Sequence, residues 1–294
     1  MLLMLPLTMP VASFASEQSR WVQYSHAASR MYGKKNYQRA ADLYEAAERS
    51  AEDEHRRPEE VANTLLNLSD CLIETRSFRA AWTTILRART IIQTQHLADD
   101  PIAVRLMRRE SLYYQRQGMY AEAVACQKEV VEKVRTIFGD STALASEYII
   151  LQIVQADYAG QHADAAQTGM TALALMKKVK LDPNCDKWLW VFNRTGGSML
   201  AIGQTKQAVA MWLDSVRMSI PLKSLAHGGS ALGKLVDIAA RDPDAKDQGA
   251  LIAELCPLAD KLCAIDETDE KLQKIRQRLK SMQAASSPVA PPVH

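Results

Sequence analysis

An alanine that returns at a nearly constant interval constrains this chain more than any other feature. The segments "NYQRAADLYEAA", "SFRAAWTTILRA", "MYAEAVACQKEV", "QHADAAQTGMTA" and "QTKQAVAMWLDS" align without gaps. Their second residues, Tyr37, Phe78, Tyr120, His162 and Thr205, lie 41, 42, 42 and 43 positions apart, and each is followed three residues later by Ala40, Ala81, Ala123, Ala165 or Ala208. One such alanine carries no information. Five in one register define a repeated unit, and a period between 20 and 50 residues marks arrays in which each unit buries its apolar face on the next.

The register extends upstream of these anchors. Thirteen residues before them stand Tyr24, Leu65, Met107, Ile149 and Phe192; six before stand Met31, Leu72, Tyr114, Ala156 and Met199. A seven-residue separation puts both sets on one helical stripe, expected to be buried. Nine before the anchors come Ala28, Ser69, Ser111, Ile153 and Gly196, small in four cases of five, which lets two helices approach closely. Gly118, Gly160 and Gly203 sit two before their anchors and mark short turns. Each unit therefore reads as a pair of helices, and Pro58, Pro101, Pro183 or the Gly139–Asp140–Ser141 turn precedes the next pair. Proline is pre-organised for a first helical position, and Asp or Ser before it can cap.

This small–aromatic–alanine pattern over paired helices resembles the tetratricopeptide repeat across roughly residues 21–220. The resemblance implies an all-α fold, a right-handed α-α superhelix in which antiparallel helix pairs stack as a solenoid. The common repeat has 34 residues; here the excess is expected between repeats, in linkers similar to those of the kinesin-light-chain type. The domain reading follows: 16–222 as five such repeats, then 223–284 as a degenerate repeat and capping helix. In that cap, Leu272, Ile275, Leu279 and Met282 form one apolar stripe, with acidic residues first and basic residues last as a helix dipole favours. From Ala285 the sequence "ASSPVAPPVH" reads as a disordered tail.

Residues 1–15, "MLLMLPLTMPVASFA", are uncharged, with Ser13 and Ala15 before a cut ahead of Ser16. They read as a signal-peptide core without its basic n-region, which implies export to a periplasm or secretion, and the cytoplasm otherwise. The run is too short for a stable membrane span. A net charge of +2 spread over 294 residues argues against nucleic acid as a partner.

The sequence offers no catalytic candidate, and no cofactor or metal is expected. Its six histidines never fall at ligand spacing with each other or with Cys or Glu. The five cysteines are scattered and odd in number, so they read as small buried hydrophobes. "GGSALGK", Gly228 to Lys234, matches part of a phosphate loop, but Leu235 stands where Ser or Thr would meet magnesium, and no strand precedes it.

"VRLMRRESLYYQR" is different: it puts Arg105, Arg108, Arg109 and Arg116 within thirteen positions. With Met107 and Tyr114 buried, Arg105, Arg109, Leu112 and Arg116 run along the adjacent stripe, with Arg108 at its edge. In tetratricopeptide arrays the first helix of each pair lines the concave surface. Asn67, Arg105 and Arg109 also resemble the residues with which co-chaperone repeats clamp a peptide's carboxylates, whereas Ser25 and Ser29 depart from that pattern. Arginine can pair bidentately with a carboxylate. Trp190, Asn193 and Arg194 could extend the groove with an aromatic contact, and Leu66, Leu112 and Ile150 would add apolar specificity. The expected function is a non-catalytic interaction scaffold that binds a peptide or protein segment, acidic among the options, in the concave groove. The alternative is a structural or self-associating spacer with no groove in use, and a solvated or internally paired arginine face fits either.

Overall fold

The computed structural model describes residues 19–241 and 245–286. Its helices are α1 (Arg20–Gly33), α2 (Tyr37–Asp53), α3 (Pro58–Glu74), α4 (Phe78–Thr94), α5 (Pro101–Gln117), α6 (Tyr120–Phe138) and α7 (Thr142–Ile153), which continues into a π turn (Val154–Tyr158). There follow α8 (His162–Lys178), α9 (Lys187–Ala201), α10 (Thr205–Ser219), α11 (Leu225–Arg241), α12 (Ala245–Cys263) and α13 (Glu270–Ser286). The chain is an all-α solenoid of stacked antiparallel helix pairs, with no strand among the described residues. It divides into two compact units, one up to Tyr113 and one from Tyr114, with the division inside α5. The leader-like segment 1–15 lies outside the described residues. So does the proposed tail, except that Ala285 and Ser286 still belong to α13.

The alanine register explains why the helices pair. Each anchor is the first residue of a second helix, opening α2, α4, α6, α8 and α10. The alanines three residues on, Ala40, Ala81, Ala123, Ala165 and Ala208, are all 0% exposed. Of the small positions nine before the anchors, Ala28, Ser69, Ser111 and Gly196 are buried as well. The fit is closest at Gly196, where a Cβ would stand 2.8 Å from Nε1 of the buried Trp212.

The turns repeat as faithfully as the packing. The residue two before each anchor has positive φ: Lys35 at 59°, Arg76 at 59°, Gly118 at 77°, Gly160 at 65° and Gly203 at 78°. One left-handed residue lets the next N–H reach back and satisfy a terminal carbonyl. Thus Asn36 N–H donates to Met31 O at 2.9 Å, Ser77 to Leu72 at 2.8 Å, Met119 to Tyr114 at 2.9 Å and Gln204 to Met199 at 2.9 Å. In the fourth pair the equivalent bond runs from Gln161 to Gln155, one residue further back, at 2.7 Å. The π turn has inserted that residue. It starts just after Ile153, the one bulky member of the small-residue set, which is only half-buried. A branched side chain is too large for the close approach, and the widened turn relieves it.

Two expectations are corrected. The 13-before and 6-before stripes are mostly half-buried: only Leu65 and Met199 are fully inside, whereas Met107 and Tyr114 are not. Burial centres on the small positions and the residue before them, Leu68, Glu110, Gln152 and Thr195. The added length is shared between helices and connections: α2, α3, α4, α5 and α8 have 17 residues each and the connections 54–57, 95–100 and 139–141 are short, whereas 179–186 before α9 is longer. Pro58 and Pro101 open α3 and α5 as expected, but Pro183 lies in the turn before α9.

In the second unit α13 packs on α11 and α12. Leu272 (1% exposed) and Leu279 (0%) pack into the cluster that contains Leu232, Leu235, Leu255 and Leu262, with Ile275 and Met282 beside them. All five cysteines are free, and Cys71, Cys126 and Cys263 are buried. No described helix is long and apolar enough to cross a membrane.

Candidate functional site

In the first unit the arginines of α5 meet α3. Asn63, Asn67 and Asp70 fall on one face of α3 at steps of four and three residues, opposite Arg105 and Arg109. One Arg105 nitrogen donates to Asn67 Oδ1 at 3.0 Å, and the other contacts Asn63 Oδ1. Arg109 Nε lies 2.5 Å from Asp70 Oδ1, an ion pair without the alignment of a hydrogen bond. Asp70 is 9% exposed. Burial pushes its carboxyl up to about 6, although Arg109 and Arg105 pull the other way. Burial, with Arg109 next, holds Arg105 below its ordinary pKa.

Asn67, Arg105 and Arg109, expected to face a ligand, meet here within the α3–α5 contact, Arg105 on Asn67 and Arg109 on Asp70. The cause is the register: with Met107 half-exposed, the Arg105 stripe turns towards α3. Leu112 packs half-buried on the core of this unit, Arg108 is half-buried, and Arg116 is exposed and belongs to the second unit. Leu66, expected to face a ligand, is 0% exposed and belongs to the core. Ile150 is 38% exposed. Asn63 and Asp70 were missed, although both sit on the helical spacing of Asn67.

The second unit holds a cleft of about 560 Å³ built from the π turn, the start of α8, α9 and α11. Trp190, Asn193 and Arg194, the remaining residues singled out in the sequence, all line it. Trp190 is 44% exposed, high for an indole set between two helices. Its ring lies 5.6 Å from that of His227, and the Arg194 guanidinium stands 5.1 Å from its centroid. Asn193 Nδ2 donates to the His227 carbonyl at 3.4 Å, and its own carbonyl accepts from Trp212 Nε1 at 3.1 Å. Arg194 pairs with Asp157, which the π turn projects into the cleft.

Lys234 closes the far side. The stretch "GGSALGK" forms no loop; it is the middle of α11, where Gly228 packs against Ser219 and Leu262. Lys234 Nζ lies 5.1 Å from the Trp212 ring centroid and has no carboxylate partner among the described residues. Burial, with Arg194 next, holds it below its ordinary pKa. Three buried polar atoms on the lining make no hydrogen bond: His162 Nδ1, Asn193 Oδ1 and Arg194 Nε. Asp157, His162 and the His227–Lys234 face of α11 were not brought together by sequence reasoning, because they come from three separate elements. No group of three His, Cys, Asp or Glu among the described residues is placed to hold a metal.

The fold is that of the tetratricopeptide-like helical-repeat solenoids. BtubC (BKLC) from P. vanneervenii superposes with a TM-score of 0.61 at 17% identity, over 69% of this chain and 81% of that one. A Podosopora anserina protein described as a kinesin light chain with nearly identical TPR-like repeats gives 0.59 at 17%, over 68% and 95%. The Rap conjugation gene regulator of plasmid pLS20, in complex with the Phr* peptide, gives 0.52 at 14%, over 96% and 80%. No family model and no curated protein matches the sequence.

Proposed function

We propose that this chain is a non-catalytic protein-interaction module that holds a segment of a partner in the α9–α11 cleft. One observation carries the reading: a large, half-exposed indole, Trp190, is fixed in a concave site beside Arg194 and Lys234. Aromatic and arginine side chains held rigidly in a pocket are what binding hot spots are made of. The likeness to a Rap regulator seen with a peptide agrees with this at the level of the fold. We further assign the repeats to the kinesin-light-chain type, on the 41 to 43 spacing and the superposition on the Podosopora anserina protein. Asn67, Arg105 and Arg109 are read as internal stitching between α3 and α5, since each already has a partner within the first unit.

The test is binding of the full chain to a library of extended peptides, with Trp190→Ala alongside. Selective capture that weakens by ~2 kcal/mol or more in the variant, at an unchanged melting midpoint, supports the module. Capture indifferent to Trp190 removes the cleft from the account. No capture, together with concentration-dependent size in solution, favours a self-associating spacer.

A further inference from the structure

We propose that the cleft is a carboxylate site built on two cations, Arg194 and Lys234, in which Asp157 of the π turn is a resident stand-in that a ligand's carboxylate replaces. This rests on the reading of the cleft as the binding surface and names the chemistry it takes.

Charge comes first. Arg194 and Lys234 bring two positive charges to the cleft and Asp157 brings one negative charge, so one cation is left over before either histidine is considered. The uncompensated one is Lys234, whose ammonium faces an indole and no described carboxylate. Like charges brought together in a partly dry site repel, and an anion between them is the direct remedy. The depressed basicity of Lys234 records its burial first and that repulsion next.

Geometry comes second. Arg194 reaches Asp157 through a terminal nitrogen while its Nε makes no hydrogen bond, so the fork is engaged on one edge only. A guanidinium takes a carboxylate most strongly with two parallel donors. The Asp157 side chain is 44% exposed and hangs from a π turn, so releasing it to water costs little. Exchange of one carboxylate for another at Arg194 is then close to neutral, and the new one gains Lys234. Ligand carbon next to the carboxylate would lie on Trp190, whose ring already has the Arg194 guanidinium over it and the His227 ring tilted at 58° beside it. The expected ligand is a carboxylate borne on an aromatic or apolar body, from either a peptide C-terminus or an acidic side chain beside an aromatic one.

The probe is phenylacetate, with phenylacetamide as its uncharged counterpart, titrated into the full chain while the Trp190 indole N–H is followed by NMR. Phenylacetate should bind about tenfold or more tightly than the amide. Asp157→Asn, an exposed change, should tighten phenylacetate about fivefold by removing the competitor, and Lys234→Met should weaken it about tenfold at a similar melting midpoint. Equal binding of acid and amide overturns the proposal, and so does an Asp157→Asn variant that binds no better than the parent. Inorganic phosphate binding in preference to phenylacetate also overturns it. If neither probe binds while Trp190-dependent peptide capture persists, the carboxylate assignment fails and the interaction module stands. If peptide capture is absent too, both fall. Peptides ending in Phe with a free carboxylate, against amidated peptides with Asp beside Phe, then separate the two sources.

Discussion

Gly196 and Asp70 show how much of this molecule is decided by single side chains. Gly196 lacks a Cβ because Trp212 occupies the space: a methyl group there would meet Nε1 at 2.8 Å and Cε2 at 2.9 Å of a ring that is 1% exposed. A rigid indole cannot move aside as a flexible chain end would. Gly196→Ala should therefore destabilise the second unit by ~1–3 kcal/mol despite alanine's better helix propensity, as a urea titration would measure. A variant as stable as the parent would mean that α9 and α10 can separate at no cost. Asp70 works through charge. Its folded pKa of about 6 lies above its unfolded value, so the folded state holds the proton more tightly. Stability is then fully present below about pH 4 and is lost as pH rises through about 6, by ~2–3 kcal/mol in all. Glu54, held below its ordinary value by the Ser19 hydroxyl, acts in the opposite sense, with stability present above its unfolded value and lost as pH falls. Unfolding free energies between pH 4 and 7 should slope downward in the parent and lie flatter in Asp70→Asn. The slope is the readout, because that variant also costs Arg109 its partner.

Between elements, the packing that defines a pair is separate from the polar contacts that tie one pair to the next. Trp21 Nε1 donates to Thr64 Oγ1 at 3.0 Å, Gln152 Nε2 to Thr195 Oγ1 at 2.8 Å and Lys187 Nζ to Ser146 Oγ at 2.9 Å, with sequence separations of 43, 43 and 41. These are one repeat apart, so first helices of successive pairs are hydrogen-bonded at matching register. Burial should rank them. Thr195 and Gln152 are both 0% exposed, and Gln152 Oε1 already makes no hydrogen bond. Thr195→Val leaves the Gln152 amide without its acceptor and should cost ~1–3 kcal/mol, whereas Ser146→Ala, next to solvent, should cost under ~0.5 kcal/mol. Comparable losses from both would show that burial is not the deciding factor. The alanine register was legible in the sequence because it is a packing constraint repeated five times. The π turn was not, since its only trace is Ile153 standing where a small residue is expected. The partners of Arg105 and Arg109 were equally hidden: a periodicity names a stripe, and only the packing decides whether the next helix or a ligand covers it.

For the molecule as a whole, a stacked array needs a last layer that does not itself require covering. Among the described residues of the second unit, α13 packs on α11 and α12 through the apolar stripe seen in the sequence. Leu272 and Leu279 are sealed against Leu232, Leu255 and Leu262, and at ~1.5–3 kcal/mol for each fully buried leucine this layer contributes several kcal/mol. Its ion pairs, Arg276 with Asp260 at 2.5 Å and Arg278 with Asp237 at 2.7 Å, are largely exposed and add little. Ending the chain at Ile265 should therefore lower the melting midpoint sharply and expose a surface that binds hydrophobic dye. The loss should also reach the cleft. Leu272 Cδ2 lies 3.1 Å from where a Cβ on Gly229 would stand, and Ile275 Cδ1 lies 3.6 Å from the same point on Gly233, so α13 rests on the helix that carries His227 and Lys234. Leu272→Ala in the full chain removes part of that support without deleting the layer. It should weaken ligand binding at the cleft together with stability, although Leu272 does not itself line the cleft. Binding that survives Leu272→Ala unchanged, in a variant whose melting midpoint has dropped, would show that α11 is held in place by α10 and α12 alone.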